Sequence, residues 1–114
     1  MAFINIFPPV ANNVVVNNGS TWTTLQLTVA TAGTPVQGPN TIILTGGSLV
    51  VQSDRGNGIK KLYVANSNTN VSNVSSRVIL NAGESIQLAV QSANLVWIDA
   101  DTNGTIANFT TENP

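Results

Sequence analysis

Two stretches of the chain alternate between apolar and polar residues, and this period of two is the feature that most restricts the fold. Within residues 22–30, Leu25, Leu27 and Val29 fall on one face, and the polar residues between them fall on the other. Residues 84–90 repeat the same alternation. Only an extended strand places every second side chain on one face. Both stretches are therefore predicted to be half-buried β-strands.

Six shorter apolar segments complete the set of predicted strands. They lie between clusters of Gly, Asn, Ser and Pro, and their short length and high Val and Ile content favour strands over buried helices. About eight short strands at this spacing predict an all-β domain, folded as an antiparallel β-sandwich, with a jelly-roll-like fold or a small barrel as alternatives. The six segments are 41–44, 48–52, 61–65, 78–80, 95–98 and 105–109.

Glycine and asparagine mark the expected turns. Asn-Gly pairs are typical of type I′ hairpin turns, in which both central residues have positive φ. Prolines and glycines within residues 33–39 predict a loop. Gly83 is expected to have positive φ, and Glu84 after it is expected to accept backbone N–H bonds or to pair with Arg77. The Asn-Gly pairs are residues 18–19, 57–58 and 103–104.

The scarcity of charged side chains excludes several functions. The chain has four basic and five acidic residues among 114, and its net charge is −1. So few basic residues leave no electrostatic footprint for nucleic acid. The absence of His and Cys removes the imidazole base, the thiol nucleophile, disulfides and the usual zinc sites. We therefore predict that the chain is not an enzyme and needs no cofactor.

Hydropathy gives no indication of a membrane partner. No stretch approaches the roughly 18 consecutive apolar residues of a transmembrane helix. Residues 1–16 lack a basic region at their start, and Pro8 and Pro9 interrupt their apolar run, so they make a poor signal peptide. The chain is therefore expected to be made in the cytoplasm.

The best chemical motif lies at residues 99–104, where Asp99, Asp101 and Asn103 occupy alternate positions before a glycine. This spacing is typical of the first half of a calcium loop. Thr110 stands at the twelfth position, where a bidentate Glu is needed. The favoured interpretation is a metal-free hairpin turn flanked by solubilising carboxylates, with calcium binding as the weaker alternative.

Two aromatic or apolar features are candidates for binding. Residues 1–10 are predicted to form an N-terminal arm or an edge strand, ahead of a single β-sandwich domain at residues 11–114. The arm's large apolar side chains either complete the domain's own core or bind a neighbouring subunit or shell.

The two tryptophans have different predicted roles. Trp22, between two threonines, is a possible platform for a ligand, whereas Trp97 is predicted to lie in the core. In the N-terminal arm, four large apolar residues are candidates for binding a partner. The partner-binding candidates are Phe3, Ile4, Ile6 and Phe7.

Several segments of residues 48–109 run in a familiar order. They include the runs 49–53 and 61–67, the alternating strand introduced by Gly83-Glu84-Ser85, and the run 95–101 followed by Gly104-Thr105. This order is similar to small all-β structural proteins of tailed bacteriophage virions, of the head decoration or head fibre type. The resemblance covers the second half of the chain, and it transfers no functional residues.

The resemblance implies a non-enzymatic virion protein that decorates or cements the capsid shell. It also implies a virion location, the major capsid protein or another virion protein as partner, and a homo-oligomer, with a trimer favoured. The alternative is a receptor-binding or carbohydrate-binding β-sandwich module of a fibre. Low charge on an Asn, Thr and Ser surface agrees with a subunit that lies against copies of itself.

Overall fold

A computed structural model describes residues 21–39 and 48–113, with side chains for 25–39 and 48–110. In these ranges the chain forms eight strands in two four-stranded antiparallel sheets, which confirms the predicted all-β sandwich. The strands are β1 (Thr21–Val29), β2 (Val36–Gln37), β3 (Ser48–Ser53), β4 (Leu62–Ala65), β5 (Val78–Leu80), β6 (Ser85–Leu88), β7 (Trp97–Ala100) and β8 (Thr105–Asn113). The first sheet has the order β1-β8-β3-β6, and the second has the order β2-β7-β4-β5.

The strand pairings define the topology. β1 pairs with β8, β2 with β7, β3 with β6 and β4 with β5, all antiparallel. The second half of the chain therefore runs back along the first half, as a long hairpin folded across two sheets. The β3–β8 and β4–β7 pairings complete the two sheets. This is the strand order of a jelly roll. The sandwich therefore has the jelly-roll topology that the sequence left open as an alternative.

The core lies between the sheets and is built from alternate residues of each strand. Phe109 of β8, Leu49 of β3, Leu62 of β4 and Ile98 of β7 have no solvent exposure. Burial of each such side chain contributes roughly 1.5–3 kcal/mol. The buried core set is Val29, Leu49, Val51, Leu62, Val64, Leu80, Ala93, Val96, Ile98, Ala100, Ala107 and Phe109.

Two segments differ from the sequence prediction because tertiary packing determines them. The loop predicted at residues 33–39 contains β2, since Val36 packs against the core and pairs with Ile98. β7 begins two residues later than the predicted strand 95–98, because Ala93–Leu95 form a 3-10 turn capped by Ser92. The predicted strand 41–44 lies outside the described residues.

The described turns correct the Asn-Gly interpretation. No described residue other than glycine has positive φ, so neither 57–58 nor 103–104 forms the predicted type I′ turn. Asn57 instead ends a 3-10 turn, Arg55–Asn57, and its side chain is buried. The expected positive φ at Gly83 is confirmed, at 86°.

The one described α-helix is short. It is α1, Asn68–Val71, which Ser67 caps by accepting the backbone N–H of Asn70 at 3.0 Å. No helix in the described part of the chain is long and apolar enough to cross a membrane.

Candidate functional site

An apolar groove opens between the two sheets where the edge strands β5 and β6 lie opposite each other. Its volume is about 330 Å³. Four segments separated along the chain form its walls, and none of the described lining side chains is charged. The lining residues are Val64, Ala65, Asn66, Asn70, Ser76, Val78, Ile86, Leu88, Val90, Leu95 and Val96.

The groove exists because the two edge strands are too short to cover the core fully. β5 has three residues, and its Val78 remains 41% exposed. Across the opening, Ile86 and Leu88 of β6 pack against the core but stay partly exposed. Leu95, at the rim, is 50% exposed. Apolar surface of this kind gains free energy when a partner covers it.

One wall of the groove carries amide groups. Asn70 Nδ2 donates a hydrogen bond to Asn66 Oδ1 at 2.7 Å. Ser76 stands beside them on the segment that leads into β5. Amide and hydroxyl groups can orient a ligand through hydrogen bonds, but they supply neither a base nor an activated nucleophile. The groove is therefore suited to holding apolar side chains with a few oriented polar contacts.

Arg77, next to the groove, ties β5 to the helix α1. Its guanidinium carbon lies 3.5 Å from the centroid of the Tyr63 ring. Its Nη1 donates to the carbonyl of Val71 at 3.3 Å. The stacking and the hydrogen bond together fix the polar wall of the groove in place.

Glu84 accepts the backbone N–H of Asn81 at 2.7 Å. This confirms the first of the two alternatives that the sequence left open for Glu84, the accepting of backbone N–H bonds.

The three calcium candidates all accept hydrogen bonds from backbone N–H groups. Asp99 Oδ1 accepts from Gly33 at 2.9 Å, and Asp101 Oδ1 accepts from Lys61 at 2.9 Å. Asn103 Oδ1 accepts from Ala32 at 2.8 Å. Among the described residues, no three acidic side chains gather closely enough to hold a metal ion. The motif of residues 99–104 thus ties two loops to the end of β7.

Asp101 is the one described group with a clear pKa shift. The backbone N–H of Lys61 stabilises the ionised carboxylate and lowers the pKa of Asp101 below its usual value of 3.8. The hydroxyl of Thr102, which donates to Oδ1 at 2.9 Å, acts in the same direction.

The aromatic candidates lie on different parts of the molecule. Trp97 is half-buried and alternates with the buried core residues Val96 and Ile98, so it faces away from the core, and its predicted core position is wrong. Trp22 lies in β1, and its side chain is outside the described residues, as are Phe3, Ile4, Ile6 and Phe7.

Sequence reasoning missed the groove. Its lining comes from four segments that only the jelly-roll topology brings together. The available signal was the alternation of residues 84–90, whose apolar face extends to Val90, beyond the end of β6.

No protein-family model matches the sequence, and no curated protein sequence is significantly similar to it. Among solved structures, a Bacillus endospore appendage protein, from a family of disulfide-linked pili, matches at 15% identity over 82% of each chain, with a TM-score of 0.48. A carbohydrate-binding module of Cellvibrio mixtus lichenase 5A, in complex with cellotriose, matches at 18% identity over 84% of this chain and 87% of that one, with a TM-score of 0.27. At these scores neither structure defines the function of this chain.

Proposed function

We propose that the chain is a non-enzymatic structural subunit of a bacteriophage virion that decorates or cements the capsid shell. It docks through the apolar groove between β5 and β6. The groove is the observation on which the proposal rests. It is concave and uncharged, has a volume of about 330 Å³, and is lined by partly exposed Val, Ile and Leu side chains. Concave apolar surfaces with a few polar groups are the usual form of binding sites.

The use of the carboxylates supports a structural role. Asp99, Asp101 and Glu84 each accept a backbone N–H, so each one holds a loop or turn in place. A catalytic carboxylate needs a reactive partner in a cleft, and the lining of this groove contains no carboxylate. The carboxylates thus hold loops and turns of the sandwich in place and leave the groove itself uncharged, which agrees with a docking subunit.

The virion setting rests on the charge and on the resemblance over residues 48–109. With nine charged residues and a net charge of −1, copies of the chain repel one another weakly. Such a chain is suited to dense packing on a shell. The similarity to head decoration and head fibre proteins supplies the shell as the partner.

The proposal is tested with a charge placed at the rim of the groove. Leu95→Asp is expected to abolish co-sedimentation with shells that lack this protein. Leu95 is 50% exposed at the rim, so the partner would bury the introduced carboxylate in an apolar contact. Ile59→Asp is the matched control, because Ile59 is 94% exposed between β3 and β4, at the opposite end of the sandwich. Shell binding by both variants at the level of the unmodified protein would overturn the proposal.

A carbohydrate-binding module of a fibre is the second candidate, and the outward position of Trp97 favours it. Trp97 pairs with Gln37 and Ala65 on the outer face of the second sheet. Titration of tryptophan fluorescence with a glycan panel tests this function. Saturable quenching that disappears in Trp97→Ala would support it. Quenching that disappears in Trp22→Ala but not in Trp97→Ala would place the binding platform on β1. Absence of quenching with every glycan would exclude binding to the sugars in the panel.

A further inference from the structure

We propose that the groove between β5 and β6 receives residues 3–7 of a second copy of the chain. This inference rests on the proposed function and makes a neighbouring subunit, rather than the shell, the direct occupant of the groove. Subunits joined by their N-terminal segments then hold to the shell together, so Leu95→Asp still removes shell binding. One copy then contributes a segment, and the next contributes a groove.

The chemistry of the segment matches that of the groove. Residues 1–20 contain no charged residue, and the described lining of the groove contains none. In extended form, residues 3–7 place Phe3, Asn5 and Phe7 on one face and Ile4 and Ile6 on the other. The groove combines apolar walls with the amide pair of Asn66 and Asn70. An apolar segment with one central amide can therefore satisfy both kinds of wall.

The position of the segment along the chain makes the contact possible. Thr23 of β1 lies in register with Thr111, Leu49 and Leu88, so β1 begins at the end of the first sheet where β6 terminates beside the groove. The thirteen residues 8–20, which join the segment to Thr21, span at most about 47 Å in extended form. The longest dimension of the molecule is 40 Å. The segment that precedes Thr21 can thus reach the groove of a neighbour.

The topology favours a neighbour over the same chain. β1 and β6 are opposite edges of the first sheet, so a segment that enters the groove of its own chain must cross two intervening strands. Phe7 and Pro8 each precede a proline, which restricts both to extended conformations and favours an extended segment over a compact one. A contact between unlike surfaces closes into a ring when the rotation between copies is a simple fraction of a full turn, and it gives an open filament otherwise. Three copies in a ring leave neither segment nor groove unpaired.

The absence of cysteine in the sequence allows a disulfide test in the full-length protein without background. Ile6→Cys and Val90→Cys are made in separate copies, mixed and oxidised, and the linked peptides are identified by mass spectrometry. We expect the mixed disulfide to form at least about tenfold faster than with Ile59→Cys in place of Val90→Cys, because docking raises the effective concentration of the two thiols. Ser76→Cys on the polar wall provides a second position if Val90→Cys lowers the melting temperature.

The outcomes separate this inference from the proposed function. A rate equal to that of the Ile59→Cys control would overturn it, and so would a double variant, Ile6→Cys with Val90→Cys, that forms only a link within one chain. If the mixed disulfide fails while Leu95→Asp still abolishes shell binding, the groove binds a shell protein and only this inference falls. If the mixed disulfide forms while Leu95→Asp still binds shells, the groove joins copies of the chain and shell docking falls.

Discussion

The buried amide of Asn57 joins the end of β3 to the start of β8. Its Nδ2 donates to Ser53 Oγ at 2.9 Å and to the carbonyl of Ile106 at 2.8 Å, and its Oδ1 accepts the N–H of Ile106 at 2.9 Å. The backbone N–H of Asp54 also donates to the Ile106 carbonyl. Removal of the amide therefore leaves the Ile106 N–H, rather than its carbonyl, without a partner.

We expect Asn57→Ala to lower the free energy of unfolding by roughly 1–3 kcal/mol, the usual cost of a buried unsatisfied donor. Urea denaturation followed by tryptophan fluorescence measures the change. Asn68→Ala, at the exposed start of α1, is the matched control and should change stability little. Equal losses in the two variants would show that the buried amide has no special role.

The turn at Gly83 allows a sharper comparison between neighbouring residues. Gly83 has φ of 86°, and a Cβ there would meet only the Arg55 side chain at an ordinary 3.6 Å. The cost of Gly83→Val is therefore conformational, about 1–2 kcal/mol or more for a β-branched residue in the left-handed region. Glu84→Gln keeps an oxygen that can accept the Asn81 N–H, so its effect should be small. Thermal melts that show equal losses for the two variants would contradict these roles.

The lowered pKa of Asp101 predicts a pH dependence of stability. Because the folded pKa lies below 3.8, the ionised carboxylate contributes stability that is fully present above pH 3.8 and is lost as pH falls through the folded value. At neutral pH we expect the unmodified protein to have a higher melting temperature than Asp101→Asn. The difference should be small because the Asp101 side chain is exposed. The two melting temperatures should converge as the pH is lowered. A margin that is constant at all pH values would contradict the assignment.

At the scale of elements, the β7–β8 connection and the loop that follows β1 are held together by side-chain oxygens. Asp99 and Asn103 accept the backbone N–H groups of Gly33 and Ala32. A calcium ion would have to displace these donors. We therefore expect millimolar calcium to leave the melting temperature unchanged relative to the same protein in EDTA. A calcium-dependent rise that disappears in Asp101→Asn would establish the weaker alternative, a metal site.

The elements that the sequence predicts well are those whose local pattern agrees with their burial. β1 and β6 follow the alternation of Leu25 and Leu27 and of Ile86 and Leu88, and the turn at Gly83 follows from its backbone preference. β2 was missed because two residues between prolines carry no periodicity, and only pairing with β7 makes them a strand. The groove was missed for the same reason, since its walls meet only in the folded chain.

At the scale of the whole molecule, the proposed contact places the N-terminal segment in the groove of a neighbouring copy. Among the described residues, the core set spans residues 29–109, and Phe109, Leu49 and Leu62 in it are fully buried. If residues 1–10 instead completed this core, the loss of Phe3, Ile4, Ile6 and Phe7 would remove roughly 1.5–3 kcal/mol for each buried side chain. The two roles of the segment therefore predict very different stabilities for a shortened chain.

Deletion of residues 2–9 is expected to abolish self-association and to lower the melting temperature only by the stabilisation that association supplies, a difference that fades on dilution. Light scattering on a size-exclusion column should give a mass below the 11.9 kDa of the full-length monomer for the shortened chain, and a trimer for the full-length chain. A segment bound by a neighbouring copy stabilises the assembly, and it contributes little to the stability of one folded copy on its own. A fall in melting temperature of more than about 10 °C, which corresponds to a loss of a few kcal/mol in a domain of this size, would place the segment in the core of its own chain. A shortened chain that still forms trimers would show that the contact between copies lies elsewhere on the sandwich.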